Sequence, residues 1–243
     1  MAVISPSVWS MHMGTGAIFG FVAAREPWFS PLRPLEFLVA ALVSGLALLI
    51  LAVVFTLKFT RRDLKKEMIF SLGRLMSVFI ITLLVLVFVD KMTHFYEPAR
   101  EATVYMLAGP SSWVFWGLQI GMGGVIPLVI LFNSRWNKTI RGIALAAASV
   151  VIGVFFERFY LVIPGAAYPL ELYPGEIEGV WGAVGSFPIT PVETMLSVGI
   201  IALLGLVFVL GLKFMELLPV AESTAAPAPV PSSVPMSEKQ PVV

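Results

Sequence analysis

Five long apolar runs separated by short charged stretches dominate this chain. They cover Leu35–Leu57, Met68–Asp90, Trp113–Phe132, Ile140–Tyr160 and Thr194–Leu218, each close to the ~20 residues that a helix needs to cross about 30 Å of hydrocarbon. A sixth run, Val8–Ala24, is shorter and contains His12, Gly14, Gly16 and Gly20. Its length leaves open a whole helix or a re-entrant piece, and a whole, packed helix is expected. The pattern predicts an all-α integral membrane protein, a bundle of five to six transmembrane helices over residues 1–218. The end, 219–243, is rich in Ala, Pro, Val and Ser and is expected to be a disordered tail.

Composition agrees with lipid as the solvent. Of the 243 residues, 58% are hydrophobic and 13% charged, against roughly 25% charged in soluble domains. The charges bunch between the apolar runs instead of spreading along helical faces. The N-terminus has no basic n-region and short apolar h-region of the cleavable kind, so insertion is expected to rely on the first hydrophobic helix itself.

The loop charges predict one orientation, in the cell (inner) membrane. The connection Lys58–Glu67 carries Lys58, Arg61, Arg62, Lys65 and Lys66, and the connection after the third long run carries Arg135, Lys138 and Arg141; both are expected on the cytoplasmic side. Alternation then places Arg25–Glu36, Lys91–Ser112 and Leu161–Glu193 outside, with Glu26, Glu36, Glu97, Glu101, Glu171, Glu176, Glu178 and Glu193. The long segment Leu161–Glu193, rich in Pro, Gly and aromatics, is the expected docking surface for a partner.

The absence of cysteine excludes disulfides, thiolate zinc sites, cysteine-held iron–sulfur clusters and haem attached through C-x-x-C-H. Two histidines, His12 and His94, invite a haem held by two imidazoles. On the expected topology, however, His12 lies near the cytoplasmic end of its helix and His94 just beyond the outer end of another, about the ~30 Å membrane thickness apart. His12 alone fits a proton carrier or quinone hydrogen-bond donor, or an interfacial histidine paired with a carbonyl. His94, close to Tyr96, reads as an interface residue.

Arg74 lies inside the second long run, where a guanidinium must snorkel, pair with another helix or line a wet cavity. Asp90 is sixteen residues away on the same helix, about 24 Å, too far to be that partner. Asp90, Glu157 and Arg158 fall at similar depth and could form a polar cluster between helices, which Glu193 could join. Such a cluster suits proton exchange with a quinone head group or the outside solution, and a structural charge network is the plainer alternative. Ser44-Gly45-Leu46-Ala47 and Gly121-Met122-Gly123-Gly124 offer small surfaces for close helix packing. Pro127 is expected to kink its helix, and Gln119 offers a polar contact on an apolar stretch. No Walker A loop, dinucleotide-binding glycine motif, H-E-x-x-H or nucleophile elbow is present, and the basic residues form loop clusters, not a nucleic-acid face.

Several of these residues together resemble the membrane subunits of the NrfD and polysulfide reductase type. They are His12 with Gly16-Ala17-Ile18-Phe19-Gly20, Pro27-Trp28-Phe29-Ser30-Pro31, Phe37-Leu38-Val39-Ala40-Ala41-Leu42-Val43-Ser44-Gly45, Gly124-Val125-Ile126-Pro127-Leu128, Glu157-Arg158, Val162-Ile163-Pro164-Gly165 and Pro191-Val192-Glu193. The resemblance implies a membrane protein with no haem and no iron–sulfur cluster of its own, exchanging electrons between membrane quinone (menaquinone or ubiquinone) and an iron–sulfur partner subunit. Such complexes also hold a molybdenum or multihaem catalytic subunit. The resemblance further implies that His12, Asp90, Glu157, Arg158 and Glu193 match polar positions of the family's bundle; no catalytic residue is assigned. The chain is similar to the second half of ten-helix members, so a second membrane chain supplying the other half is one implication and a structural anchor without redox role another. A transporter or channel is the remaining reading, and no internal repeat supports it.

Overall fold

A computed structural model describes residues 6–59, 66–98, 100–169, 185 and 187–214, and among these all regular structure is helical. The helices are α1 (Pro6–Gly20), α2 (Arg33–Phe59), α3 (Lys66–Tyr96), α4 (Arg100–Ala108), α5 (Ile126–Phe132), α6 (Ile140–Ala167) and α7 (Pro191–Phe214); a π-helical segment, Val114–Val125, runs directly into α5. Five spans among the described residues are long and apolar enough to cross a membrane: α2, α3, the π segment with α5, α6 and α7. The five long runs thus form spans, and the sixth forms α1, a 15-residue helix packed against α2 that is not among the membrane-length spans. Arg61, Arg62 and Lys65 of the basic connection, Glu171, Glu176 and Glu178 of the expected docking segment, and the tail 219–243 lie outside the described residues.

Two expectations need correction. The segment Lys91–Ser112 is not a plain connection: α3 continues to Tyr96, and α4 follows. Its place is fixed from both sides, because Tyr160 donates its hydroxyl hydrogen bond to the Met106 carbonyl and Trp116 Nε1 donates to Leu107 O at 3.0 Å. The Trp113–Phe132 run is also not one α-helix kinked at Pro127. Ile126 N–H bonds Gly121 O, five residues back, and Pro127 stands in the first turn of α5. A proline lacks the N–H and crowds the carbonyl four residues earlier, so the turn before it widens to π spacing.

Residues 1–187 form one compact unit, and α7 belongs to a second that starts at Pro188. In the first unit α6 is central, contacting α2, α3, α5 and the π segment. Its buried positions Ile143, Ala146, Val150, Gly153, Glu157, Tyr160 and Pro164 recur every three or four residues, which lines them on one face. That of α2 runs through Ala40, Val43, Ala47 and Ile50, and α3 answers with Ile69, Met76 and Ile80. Ala40, Ala47, Ala146 and Gly153 in this seam are small; lipid gives apolar helices no hydrophobic reason to associate, and the close van der Waals packing that small residues allow does so instead. Thr139 starts α6, its hydroxyl accepting from Gly142 N at 3.1 Å as an N-cap.

The tightest crossing is between α6 and the π segment. A Cβ on Gly153 would lie 2.0 Å from Gly123 Cα and 2.4 Å from Gly123 N, and Ser149 Oγ donates to Met122 O at 2.5 Å beside it. Both obstacles are backbone, so no side chain can swing away. Gly45 has open space where its Cβ would be. Gly153→Ala should therefore lower unfolding stability by about 1–3 kcal/mol, and Gly45→Ala should hold or raise it by a few tenths. Thermal unfolding of the two purified variants in one detergent, compared with the parent, checks this.

Candidate functional site

The turn between α1 and α2 builds the first half of the site. Gly16 and Gly20 let α1 rest directly on the start of α2, where an added Cβ would lie 2.7 Å from Pro34 Cα or 2.6 Å from Ser30 O. Ser30 N donates to Gly20 O at 3.0 Å, and Ser30 Oγ accepts from Leu32 N at 3.2 Å while donating to Asp90 Oδ1. The first turn of α2 then presents Arg33 and Glu36, three residues apart on one face.

Asp90, on α3, is fully buried. Besides Ser30 it receives Arg33 Nη2 at 3.4 Å and Lys91 Nζ at 3.0 Å. Arg33 Nη1 also meets Glu36 Oε2 at 2.6 Å. One helical turn after Asp90, His94 places Nδ1 2.7 Å from Asp90 O and Nε2 2.7 Å from Phe29 O. Both nitrogens of the ring thus face backbone carbonyl oxygens. Neither nitrogen is free to ligate a haem iron, and among the described residues no group of three or more His, Asp or Glu could hold a metal ion.

A second pair adjoins this cluster on α6. Glu157 Oε1 lies 3.5 Å from Arg158 Nη1, and the Arg158 guanidinium stands 3.5 Å over the Phe37 ring, a cation–π contact from the face of α2 next to Glu36. A small cavity of about 20 Å³ joins the two groups; Arg33, Glu36, Lys91, Gln119, Glu157 and Tyr160 are among its walls. Three cations (Arg33, Lys91, Arg158) stand against three anions (Glu36, Asp90, Glu157). Burial of ions in an apolar bundle is tolerated only with such pairing. At the same end, a wider recess of about 590 Å³ is lined by Ala23, Glu26, Phe29, Glu97, Glu101 and Tyr168.

The predicted candidates separate into three groups. Glu157 pairs with Arg158, and Asp90 is linked to them only through Arg33 and Glu36, which line the small cavity with Glu157. Arg74 does not join them: it is exposed on α3 and makes no ion pair among the described residues. His12 is exposed on α1, eight residues or about 12 Å of helix rise before Gly20, so it is nearer the level of the cluster than a membrane thickness. His94 is inside α3, not beyond its end. Glu193 serves α7 itself: its Oε2 accepts from Thr190 N at 2.8 Å and Thr190 Oγ1 accepts from Glu193 N at 3.3 Å, a reciprocal capping box.

Sequence reasoning missed Arg33 and Glu36 as members, having assigned both to an outer connection, and left Ser30, Lys91 and His94 out of the cluster. A usable signal existed. Arg33 and Glu36 sit at i, i+3 directly against an apolar run, at the same membrane level as Asp90, so both must turn inward or find water.

Five helical spans of membrane length among the described residues define a multi-pass integral membrane protein. Residues 1–169 match the family model described as polysulphide reductase, NrfD, and the chain belongs to that family. It is 36% identical over 216 residues to the Hdr-like menaquinol oxidoreductase integral membrane subunit of Archaeoglobus fulgidus, covering 86% of this chain and 55% of that protein. It is 37% identical over 169 residues to the C subunit of the selenate reductase of Mesobacillus selenatarsenatis, covering 68% of this chain and 38% of that protein. The chain thus spans about half the length or less of these curated relatives.

Removing the carboxylate that three donors share tests the cluster. Asp90→Ala leaves Arg33 and Lys91 without their common anion and should destabilise the bundle by about 3–5 kcal/mol, while Arg74→Gln should stay within about 0.5 kcal/mol. Denaturation midpoints of the detergent-purified variants, read by intrinsic fluorescence, measure both.

Proposed function

We propose that this chain is an integral membrane subunit of a respiratory oxidoreductase complex, exchanging electrons between the membrane quinone pool and an iron–sulfur partner subunit that serves a molybdenum or multihaem catalytic subunit. The observation that carries the reading is family membership together with 36% identity, across 86% of the chain, to a protein named as a menaquinol oxidoreductase integral membrane subunit. Menaquinone is the favoured quinone on the same ground.

The charge cluster supplies the matching chemistry. Oxidising a quinol to a quinone releases two electrons and two protons, and the protons need acceptors near the reacting hydroxyls. Asp90, Glu157 and Arg158, joined by Arg33, Glu36 and His94, concentrate acid–base groups at one end of the bundle, on the side that the loop charges assign to the outside. In this reading Glu157 is a proton-carrying group, with Arg158 as its counter-ion, and Asp90 holds the frame of donors around it. His12 and Arg74 are exposed and take no part in that arrangement, and Glu193 caps α7. A structural anchor without redox role is the second reading.

Purifying the tagged native chain in mild detergent, identifying co-purifying proteins by mass spectrometry and extracting quinone separates these readings. Recovery of an iron–sulfur protein, a catalytic subunit and quinone supports the first; a partner complex that turns over with no quinone supports the anchor. In the intact complex, Glu157→Gln should lower quinol-dependent turnover on the order of 10²-fold without loss of assembly. Unchanged turnover would remove Glu157 from the proton path.

A further inference from the structure

The cavity between α2, the π segment and α6 is walled by unusual atoms. Arg33 Nε, Glu36 Oε1 and Gln119 Oε1 are buried and have no hydrogen-bond partner among the described residues, and all three residues line this one space. An unpaired buried polar atom costs about 1–3 kcal/mol, and three sharing a cavity call for a common partner. The volume, about 20 Å³, exceeds the ~10–15 Å³ needed for one water and falls well short of the ~150 Å³ that accommodates a benzene ring. A quinone ring does not fit; water does.

A second cavity of similar size, about 20 Å³, continues from the first and shares Val87, Gln119 and Glu157 with it. Its remaining walls are Ile80, Leu83, Leu84, Ile120, Val154 and two glycines. Water in a buried site needs two to four polar partners. Its polar side chains, Gln119 and Glu157, are the two it shares with the first cavity, which adds Arg33, Glu36, Lys91 and Tyr160, so the first cavity is the more polar of the two.

We propose that ordered water in the first cavity, hydrogen-bonded to Glu36 Oε1, Gln119 Oε1 and Arg33 Nε, forms a proton link between Glu157 and Glu36. The step moves protons alone: the water takes one from the Glu157 carboxyl group as it gives one of its own to the Glu36 carboxylate, and no electron moves. Arg33 donates to the water and Gln119 accepts from it, which orients its hydrogens. Glu157 is thereby connected to the end of the bundle that carries Ser30, Arg33 and Asp90. The link rests on Glu157 being the proton-carrying group, as read above, and its test separates the two.

Two measurements on the native complex decide it. A cryo-electron microscopy map that resolves solvent should show density within hydrogen-bonding distance of both Glu36 Oε1 and Gln119 Oε1; a dry cavity, or one closed by repacking, overturns the link. Redox-triggered infrared difference spectra in light and heavy water should show a protonated carboxyl band that disappears in Glu157→Gln. In Gln119→Leu, exchange of that band should slow about tenfold, as expected for one hydrogen bond lost from the path. An unchanged exchange rate, or no Glu157 band in either redox state, also overturns it. The wild-type map remains decisive if Gln119→Leu fails to assemble. Solvent and exchange as expected in a complex that does not oxidise quinol would uphold the link and sink the quinone reading; quinol turnover with a dry cavity would do the reverse.

Discussion

The anion of Asp90, fully buried between α2 and α3, is the interaction on which this end of the bundle depends. It is approached by a hydroxyl, a guanidinium and an ammonium group, and each comes from a different local feature: the α1–α2 turn, the first turn of α2 and α3 itself. Buried in the bundle, these groups have no bulk water to fall back on, so they depend on one another for pairing. The arrangement fixes where α2 begins relative to α3. His94 extends the same lock by tying α3 to the Phe29 carbonyl, and Gly16 and Gly20 make room for α1 against it.

The middle of the bundle is held by a different principle. Around α6 the contacts are apolar and the residues small, and attraction comes from the number of atoms brought to van der Waals distance. The Gly123–Gly153 crossing allows two backbones to touch, and the π-helical turns ahead of Pro127 turn Gln119 toward the space that Glu36 and Glu157 also line. The irregular backbone therefore does more than accommodate a proline: it brings a polar group to a place where a regular helix would carry its neighbours in a different register.

These two halves meet at the cavity beside Glu157. Polar atoms from the lock face it from one side and the apolar seam closes it from the other, giving a polar end and a more apolar neighbouring cavity. The size of the space admits water and keeps a quinone ring outside. The wider recess formed by Phe29, Glu26, Glu97, Glu101 and Tyr168 lies at the same end, next to the carbonyl that receives His94.

Apolar runs of membrane length and loop charges determined the helical spans by themselves, because a bilayer demands both from the sequence whatever the neighbours are. The grouping of Asp90 with Glu157 and Arg158 was legible for a related reason: charges that abut apolar runs at one depth must find each other. Tertiary structure alone decided that Arg33 and Glu36 turn inward, that Gln119 faces them and that α4 interrupts what reads as a connection. Those outcomes depend on helix rotation and on the π-helical register, which residues distant in the chain set jointly through packing. The same physics left Arg74 outside the cluster and made Glu193 a helix cap, since membrane depth read from sequence carries no information about which way a side chain faces.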